Sequence, residues 1–130
     1  MATIFEEYIT KHPGSARRYE ESTTLFPGGV THDSRYAMPF PLFMTHGSGP
    51  RKWDVDGNEY IDYVSGHGAL LLGHSRPEIA EAVSQQILPG THLGAATDED
   101  LRWARPSTAL IPSIEHPRFH SSGPPAPLHA

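Results

Sequence analysis

A turn of three small residues stands near the end of the 130-residue chain, where SSG at 121–123 follows a predicted strand at 118–120. Backbone N–H groups and a serine hydroxyl in such a turn can hold a phosphate when a helix starts directly after it. The next residues, Pro124 and Pro125, have no N–H to donate and discourage a helix. Taken alone, this turn is a weak signal for a phosphate site.

Arg35 is a candidate for binding a carboxylate. It lies in a loop between a predicted helix and a set of predicted strands, and Asp33 is the acid near it. The planar guanidinium group fits a carboxylate with two parallel hydrogen bonds. The local sequence by itself nevertheless favours an ordinary exposed arginine.

The run DVDGN at 54–58 has the alternating oxygen ligands with which a calcium loop begins. The rest of that pattern is missing, because the glycine position holds Glu59 and the final glutamate position holds Ser65. A hairpin turn is the better interpretation.

Nine histidines raise the question of a zinc site. His116 and His120 are four positions apart, but Pro117 lies between them and the segment is predicted as a strand, so they do not share a helix face. We therefore expect no metal site, and an unrelated metal-binding domain is an alternative that depends on histidine count alone.

The composition limits the class of protein. The net charge is −5 with no run of basic residues, which argues against nucleic-acid and membrane-surface partners. The N-terminus has neither the charge nor the apolar segment of a secretory signal, and cysteine is absent, so we expect a soluble cytoplasmic protein. The 13 prolines and 12 glycines predict poor order in the last third.

The first half of the chain predicts one helix followed by a small antiparallel meander. The helix is expected at 15–26 with Ser15 as its N-cap. Asp56-Gly57 is a strong hairpin signal, because both positions tolerate positive φ. The strand candidates are 41–46, 51–55 and 59–64.

The second half predicts two helices. One covers 75–88 with Ser75 as a possible cap, and its apolar stripe consists of Ile79, Val83 and Ile87. The other should start at Thr97 and break or kink at Pro106.

These segments, in this order, resemble one family. "LFPGGVTHDSRY", "RKWDVDGNEYIDYVSGHGALLLGH", "PEIAEAVSQQ" and "ALIPSIEHPRFHSSG" are similar to the N-terminal third of the class-III aminotransferases, which use pyridoxal phosphate. Within that family the similarity is greatest to the glutamate-1-semialdehyde 2,1-aminomutase group and its aminotransferase relatives.

The resemblance implies an α/β fold, namely the N-terminal part of a fold type I transferase that depends on pyridoxal phosphate. We expect a truncated member, with an N-terminal helix and antiparallel meander at 1–64. The beginning of the large cofactor-binding domain would follow at 65–123, and 124–130 would be a divergent proline-rich tail.

The resemblance also implies roles for particular residues. Arg35 stands where the aminomutases hold the substrate carboxylate, His32 replaces a loop serine, and His67 replaces an aromatic residue of the cofactor pocket. Ser122 and Gly123 match two residues of the phosphate-binding cup. The two histidine departures favour an aminotransferase over the aminomutase.

The implied reaction is transfer or internal migration of an amino group on a small amino acid or amine, in a homodimer. It requires a lysine that forms a Schiff base with the cofactor. Lys11 and Lys52 are the lysines of this chain, and neither matches that position. We therefore expect no catalytic residue in the chain and no activity from the chain alone. The alternative is a non-catalytic N-terminal fragment that acts only in subunit interaction.

Overall fold

The structure is a computed structural model that describes residues 2–120. The chain divides into two compact units, one up to Gln85 and one from Gln86. The helices are α1 (Ile4–Lys11), α2 (Pro13–Leu25), α3 (Pro77–Ile87) and α4 (Asp98–Leu110), and the strands are β1 (Met44–Ser48), β2 (Arg51–Asp54) and β3 (Glu59–Ile61).

Two helices, rather than one, open the chain. α1 is capped by Thr3, whose hydroxyl accepts a hydrogen bond from the backbone N–H of Glu6 while the Glu6 carboxylate accepts one from the backbone of Thr3. The prediction of Ser15 as N-cap is wrong. α2 already begins at Pro13, because proline suits the first position of a helix.

The predicted meander is confirmed as a three-stranded antiparallel sheet in the order β1-β2-β3. Lys52 pairs with Tyr60 across β2 and β3, which sets the register of the second hairpin. Gly57 in the connecting turn has a φ of 83°, a conformation that glycine adopts without strain.

The interior of the first unit is mostly polar. Phe40 is the large hydrophobic side chain that is buried among the described residues, with its ring centroid 5.1 Å from that of Tyr8. The buried polar residues of the described part are His12, Ser15, Ser22, Asp54 and Asp62. Hydrogen bonds rather than apolar contacts therefore hold much of this unit together.

α3 differs from its prediction at its start. It begins at Pro77, and Ser75, with a φ of 53°, donates its hydroxyl to the carbonyl of Gly47 at 2.9 Å instead of capping the helix. The apolar stripe is where the periodicity predicted it, but its residues are about half exposed: Ile79 48%, Val83 51% and Ile87 55%.

The second unit contains α4, which starts where it was predicted to start: Thr97 is its N-cap, and the backbone N–H of Thr97 donates to the carboxylate of Asp100 at 2.9 Å. A break or kink was expected at Pro106; the break is wrong, because the helix continues to Leu110 with the proline inside it. The strand prediction at 118–120 is also wrong. No strand among the described residues pairs with this segment, and a strand needs a partner for its backbone groups.

Candidate functional site

Arg35 ends a 3-10 turn (Asp33–Arg35) that follows a second such turn (Pro27–Gly29). The loop is fastened to α2 by Ser22, whose hydroxyl lies 2.8 Å from the carbonyl oxygen of Gly29. Gly29 has a φ of 70°, and a Cβ there would lie 2.6 Å from the ring of Tyr19. The first turn of the loop that leads to Arg35 therefore depends on glycine at this position.

The guanidinium group of Arg35 is exposed and makes one hydrogen bond, from Nη1 to the hydroxyl oxygen of Thr31 at 2.8 Å. Within residues 2–120, no carboxylate forms an ion pair with it. Its positive charge is thus left without an internal counter-ion in the part of the chain that the structure describes.

His32 lies at the start of the same turn. Its Nδ1 accepts a hydrogen bond from the backbone N–H of Ser34 at 3.1 Å and contacts the hydroxyl of Ser34 at 2.8 Å. Because Nδ1 accepts from the backbone, the serine hydroxyl is the donor in the second contact. His32 therefore holds the turn in shape, and it does not line the cavity beside Arg35.

An open cavity of about 680 Å³ lies beside Arg35. Arg35 and Lys52 are its basic residues, and most of its other lining side chains are apolar. The apolar lining consists of Phe26, Val30, Ala37, Pro41, Leu42, Phe43 and Met44, and Tyr8, Ser22, Gly29 and Thr31 complete it. Its volume falls within the range usual for small-molecule sites, roughly 300 to 1,000 Å³.

Lys52 is already engaged with a buried carboxylate. Its Nζ lies 2.8 Å from Oδ1 of Asp62, and Nε2 of His74 donates to Oδ2 of the same carboxylate at 2.7 Å. The backbone N–H of Val64 adds a third hydrogen bond at 3.1 Å. The hydrogen bond from Lys52, followed by that from His74, holds the pKa of Asp62 well below its usual range.

His67 lies on a different segment from Arg35, the glycine-rich loop at 65–74. It is exposed, has a φ of 59°, and does not line the cavity beside Arg35. The structure thus brings Arg35 and His32 into one turn and places His67 elsewhere. Ser122 and Gly123 lie outside the described residues.

The run DVDGN forms the predicted turn, and its carboxylates serve the fold. Oδ1 of Asp54 accepts from the backbone N–H groups of Asp56 and Asn58, and Oδ2 accepts from the hydroxyl of Tyr60 at 2.7 Å. Burial acts to raise the pKa of Asp54, but these hydrogen bonds and that from the side chain of Asn58 outweigh it, so the pKa is lowered. The buried partner His12, 2.8 Å from the Tyr60 hydroxyl, had no local signal in the sequence.

Residues 2–120 contain no group of three or more histidine, cysteine, aspartate or glutamate side chains placed to hold a metal ion. Within the same residues, none of the helices has the length and apolar character needed to cross a membrane.

Comparison with known proteins identifies the family. Residues 32–130 match the sequence profile described as "Aminotransferase class-III". The protein belongs to this family. The glutamate-1-semialdehyde 2,1-aminomutase of Chloroflexus aurantiacus is 40% identical over 133 residues, covering 100% of this chain and 29% of that protein. The aminomutase of Persephonella marina is 41% identical over 119 residues, which cover 89% of this chain and 28% of that protein.

Solved structures agree. The β-phenylalanine aminotransferase of Variovorax paradoxus superposes with a TM-score of 0.90 at 33% identity, covering 95% of this chain and 29% of that one. A glutamate-1-semialdehyde aminomutase of Pseudomonas aeruginosa superposes with a TM-score of 0.74 at 25% identity, covering 81% of this chain and 24% of that one. The predicted fold class, part of an α/β fold type I transferase, is confirmed. The chain spans about 29% of the length of the curated relatives it matches.

Proposed function

We propose that this chain forms the N-terminal segment of an aminotransferase that uses pyridoxal phosphate, and that this segment binds the carboxylate of the substrate. The observation that carries the proposal is the position of Arg35, whose charge has no internal counter-ion among the described residues and which lines a cavity of small-molecule size. Arg35 would bind the carboxylate of an amino acid through two parallel hydrogen bonds and so orient the amine.

Amino-group transfer, rather than internal migration, is the reaction we favour. The similarity in sequence is to aminomutases, at about 40% identity. The superposition on the β-phenylalanine aminotransferase, however, has a higher TM-score, 0.90 against 0.74 for the aminomutase structure. His32 and His67 replace the serine and the aromatic residue that the resemblance implies for the aminomutases, which also supports transfer.

The cofactor would supply the electron sink for the reaction. The described residues do not fit its covalent attachment, because the ammonium of Lys52 is bound to Asp62 and Lys11 is an exposed residue at the end of α1. We therefore propose that the attaching lysine is not supplied by this chain. Ser122 and Gly123 remain proposed contacts of the cofactor phosphate.

A chimera tests the proposed role of Arg35. The matching segment of the β-phenylalanine aminotransferase of Variovorax paradoxus is replaced by this chain, and formation of the keto product from an amino acid is measured. Arg35→Gln should raise KM by roughly 10- to 100-fold, the loss expected for a hydrogen bond to a charged group. Arg17→Gln, at an exposed position on α2, should change nothing. Equal activity of the two variants would contradict the proposal.

Treatment of the chain alone with pyridoxal phosphate tests the cofactor part of the proposal. We expect no new absorbance band near the visible and no lysine labelled after borohydride reduction. A single labelled lysine, or turnover of an amino acid without a second protein, would contradict it.

A second candidate function is subunit interaction without catalysis. The half-exposed stripe of Ile79, Val83 and Ile87 favours it, because an apolar helix face of this kind usually packs against another element. Sedimentation of the chain would test it: Val83→Asp should weaken any self-association that the wild type shows, and Glu81→Gln, on the same helix, should not. The homodimer, the cytoplasmic location and the domain limits at 64 and 123 remain predictions.

A further inference from the structure

We propose that the cavity beside Arg35 selects a monocarboxylate with an apolar body of aryl size and discriminates against dicarboxylates, with Asp62 setting this preference through Lys52. The inference rests on the proposed carboxylate-binding role of Arg35 and names the substrate class of that site. It depends on the charges that line the cavity, on the hydrogen bonds that its hydroxyl groups already make, and on the apolar side chains of its wall.

Among the described residues, two cationic side chains line the cavity, and one of them, Arg35, has no ion-pair partner. Lys52 lies 2.8 Å from Asp62, and this carboxylate is held in its ionised form by Lys52 and His74. Within residues 2–120, the guanidinium group of Arg35 donates its hydrogen bond to the neutral hydroxyl of Thr31. A second substrate carboxylate near Lys52 would therefore compete with an anion that the fold already provides.

Tyr8 and Ser22 offer little to a second carboxylate, and Thr31, whose hydroxyl oxygen accepts from Arg35, belongs to the anion site at Arg35 itself. The hydroxyl of Tyr8 donates to the carbonyl of Phe40 at 2.8 Å. The hydroxyl of Ser22 lies 2.8 Å from each of two backbone carbonyls, so its proton is also committed. A carboxylate placed there would lose hydration without gaining a donor, which is unfavourable.

The wall itself suits an apolar group. Phe26, Val30, Leu42, Phe43 and Met44 face the cavity, and burial of hydrocarbon against such side chains is favourable in proportion to the area removed from water. The combination of one anion site and an apolar wall is complementary to a molecule such as an aryl-substituted propanoate.

Binding to the purified chain tests the inference without requiring turnover. The probes are 3-phenylpropanoate and glutarate at low ionic strength, and the readout is the shift of the backbone amide signals of Val30, Thr31 and Ala37, which line the cavity, in nitrogen-15 NMR spectra. We expect 3-phenylpropanoate to bind at least about tenfold more tightly than glutarate. Arg35→Gln should abolish both shifts, and Arg17→Gln should leave the ratio unchanged.

Two variants test the charge balance of the cavity, and the first of them tests the role of Asp62. Asp62→Asn releases the charge of Lys52, so glutarate binding should strengthen and the preference should fall by about tenfold. Because this variant also removes a hydrogen-bond acceptor from His74, Met44→Lys serves as an independent test. It adds a cation to the wall of the cavity and leaves the hydrogen bond between Asp62 and His74 in place. It should reduce the preference for 3-phenylpropanoate over glutarate in the same way.

The outcomes separate this inference from the proposed function. Equal or tighter binding of glutarate by the wild type, no binding of either acid, or an unchanged preference in both variants would overturn the selectivity. If the selectivity is observed and the chimera still forms no keto product, the cavity is a monocarboxylate site and the proposed amino transfer is wrong.

Discussion

The carboxylate of Asp56 lies 2.6 Å from the backbone nitrogen of Gly14, a residue 42 positions earlier in the chain. Its other oxygen accepts from the backbone N–H of Ser15 at 3.1 Å. The hairpin turn between β2 and β3 thus supplies the anion at the N-terminus of α2, where His12, the preceding residue, makes no side-chain cap.

Removal of this cap should destabilise the first unit. We expect Asp56→Ala to lower the free energy of unfolding by about 1 kcal/mol, the usual effect of losing a helix N-cap. Urea denaturation followed by circular dichroism measures it. Asp33→Ala is the control, because Asp33 is exposed and its side chain forms no ion pair with another residue of the described range, and it should stay within about 0.5 kcal/mol of the wild type.

The loop that carries Arg35 should be sensitive to a methyl group at Gly29 and less so at Gly28. Both glycines have positive φ, 64° and 70°, so alanine is strained at either position, by roughly 1 to 2 kcal/mol. At Gly29 the new Cβ would also lie 2.6 Å from the ring of Tyr19, whereas nothing lies within 4 Å at Gly28. The free energy of unfolding, measured in urea, should therefore be lower for Gly29→Ala than for Gly28→Ala. The reverse order would contradict the packing described for this loop.

Tyr60 should ionise at a higher pH than an ordinary tyrosine. Burial, followed by the hydrogen bond to Asp54 and its charge, raises the pKa of Tyr60. The stability that comes from this shift is fully present below the unfolded pKa of about 10 and is lost as the pH rises through the higher folded value. Burial also raises the pKa of Tyr8, so titration of tyrosine absorbance should show two late-titrating groups, and the later of the two should be absent in Tyr60→Phe. Tyr63→Phe, at an exposed position, should retain it.

Asp62 should contribute a dependence on acid pH. Since the pKa of Asp62 is lowered in the folded state, chiefly by Lys52, its contribution to stability is present above the unfolded pKa of about 3.9. It is lost as the pH falls below that value toward the folded pKa. At about pH 6, the urea concentration at the midpoint of unfolding should be higher for the wild type than for Asp62→Asn. At about pH 3, the difference between the two midpoints should be smaller. A difference that does not change with pH would mean that the carboxylate's charge is not responsible.

Much of the local structure was predictable because its causes lie close together in the sequence. Asp56-Gly57 predicted the hairpin, and Thr97 with its acidic neighbours predicted the start of α4. The helix at Ile4–Lys11 could also have been found, since Thr3 and Glu6 form a capping box that the sequence displays. The strand expected at 118–120 failed because short-range pattern does not supply a pairing neighbour.

The sequence alone was enough to identify the family, the meander and Arg35 as a candidate carboxylate-binding residue, because motifs and turn chemistry are local properties. It could not show that Lys52 is neutralised by Asp62 or that His12 is buried against Tyr60. Those contacts join residues that are distant in the chain, and strand register and helix docking bring them together. The charge that remains in the cavity after folding is therefore a property of the tertiary structure.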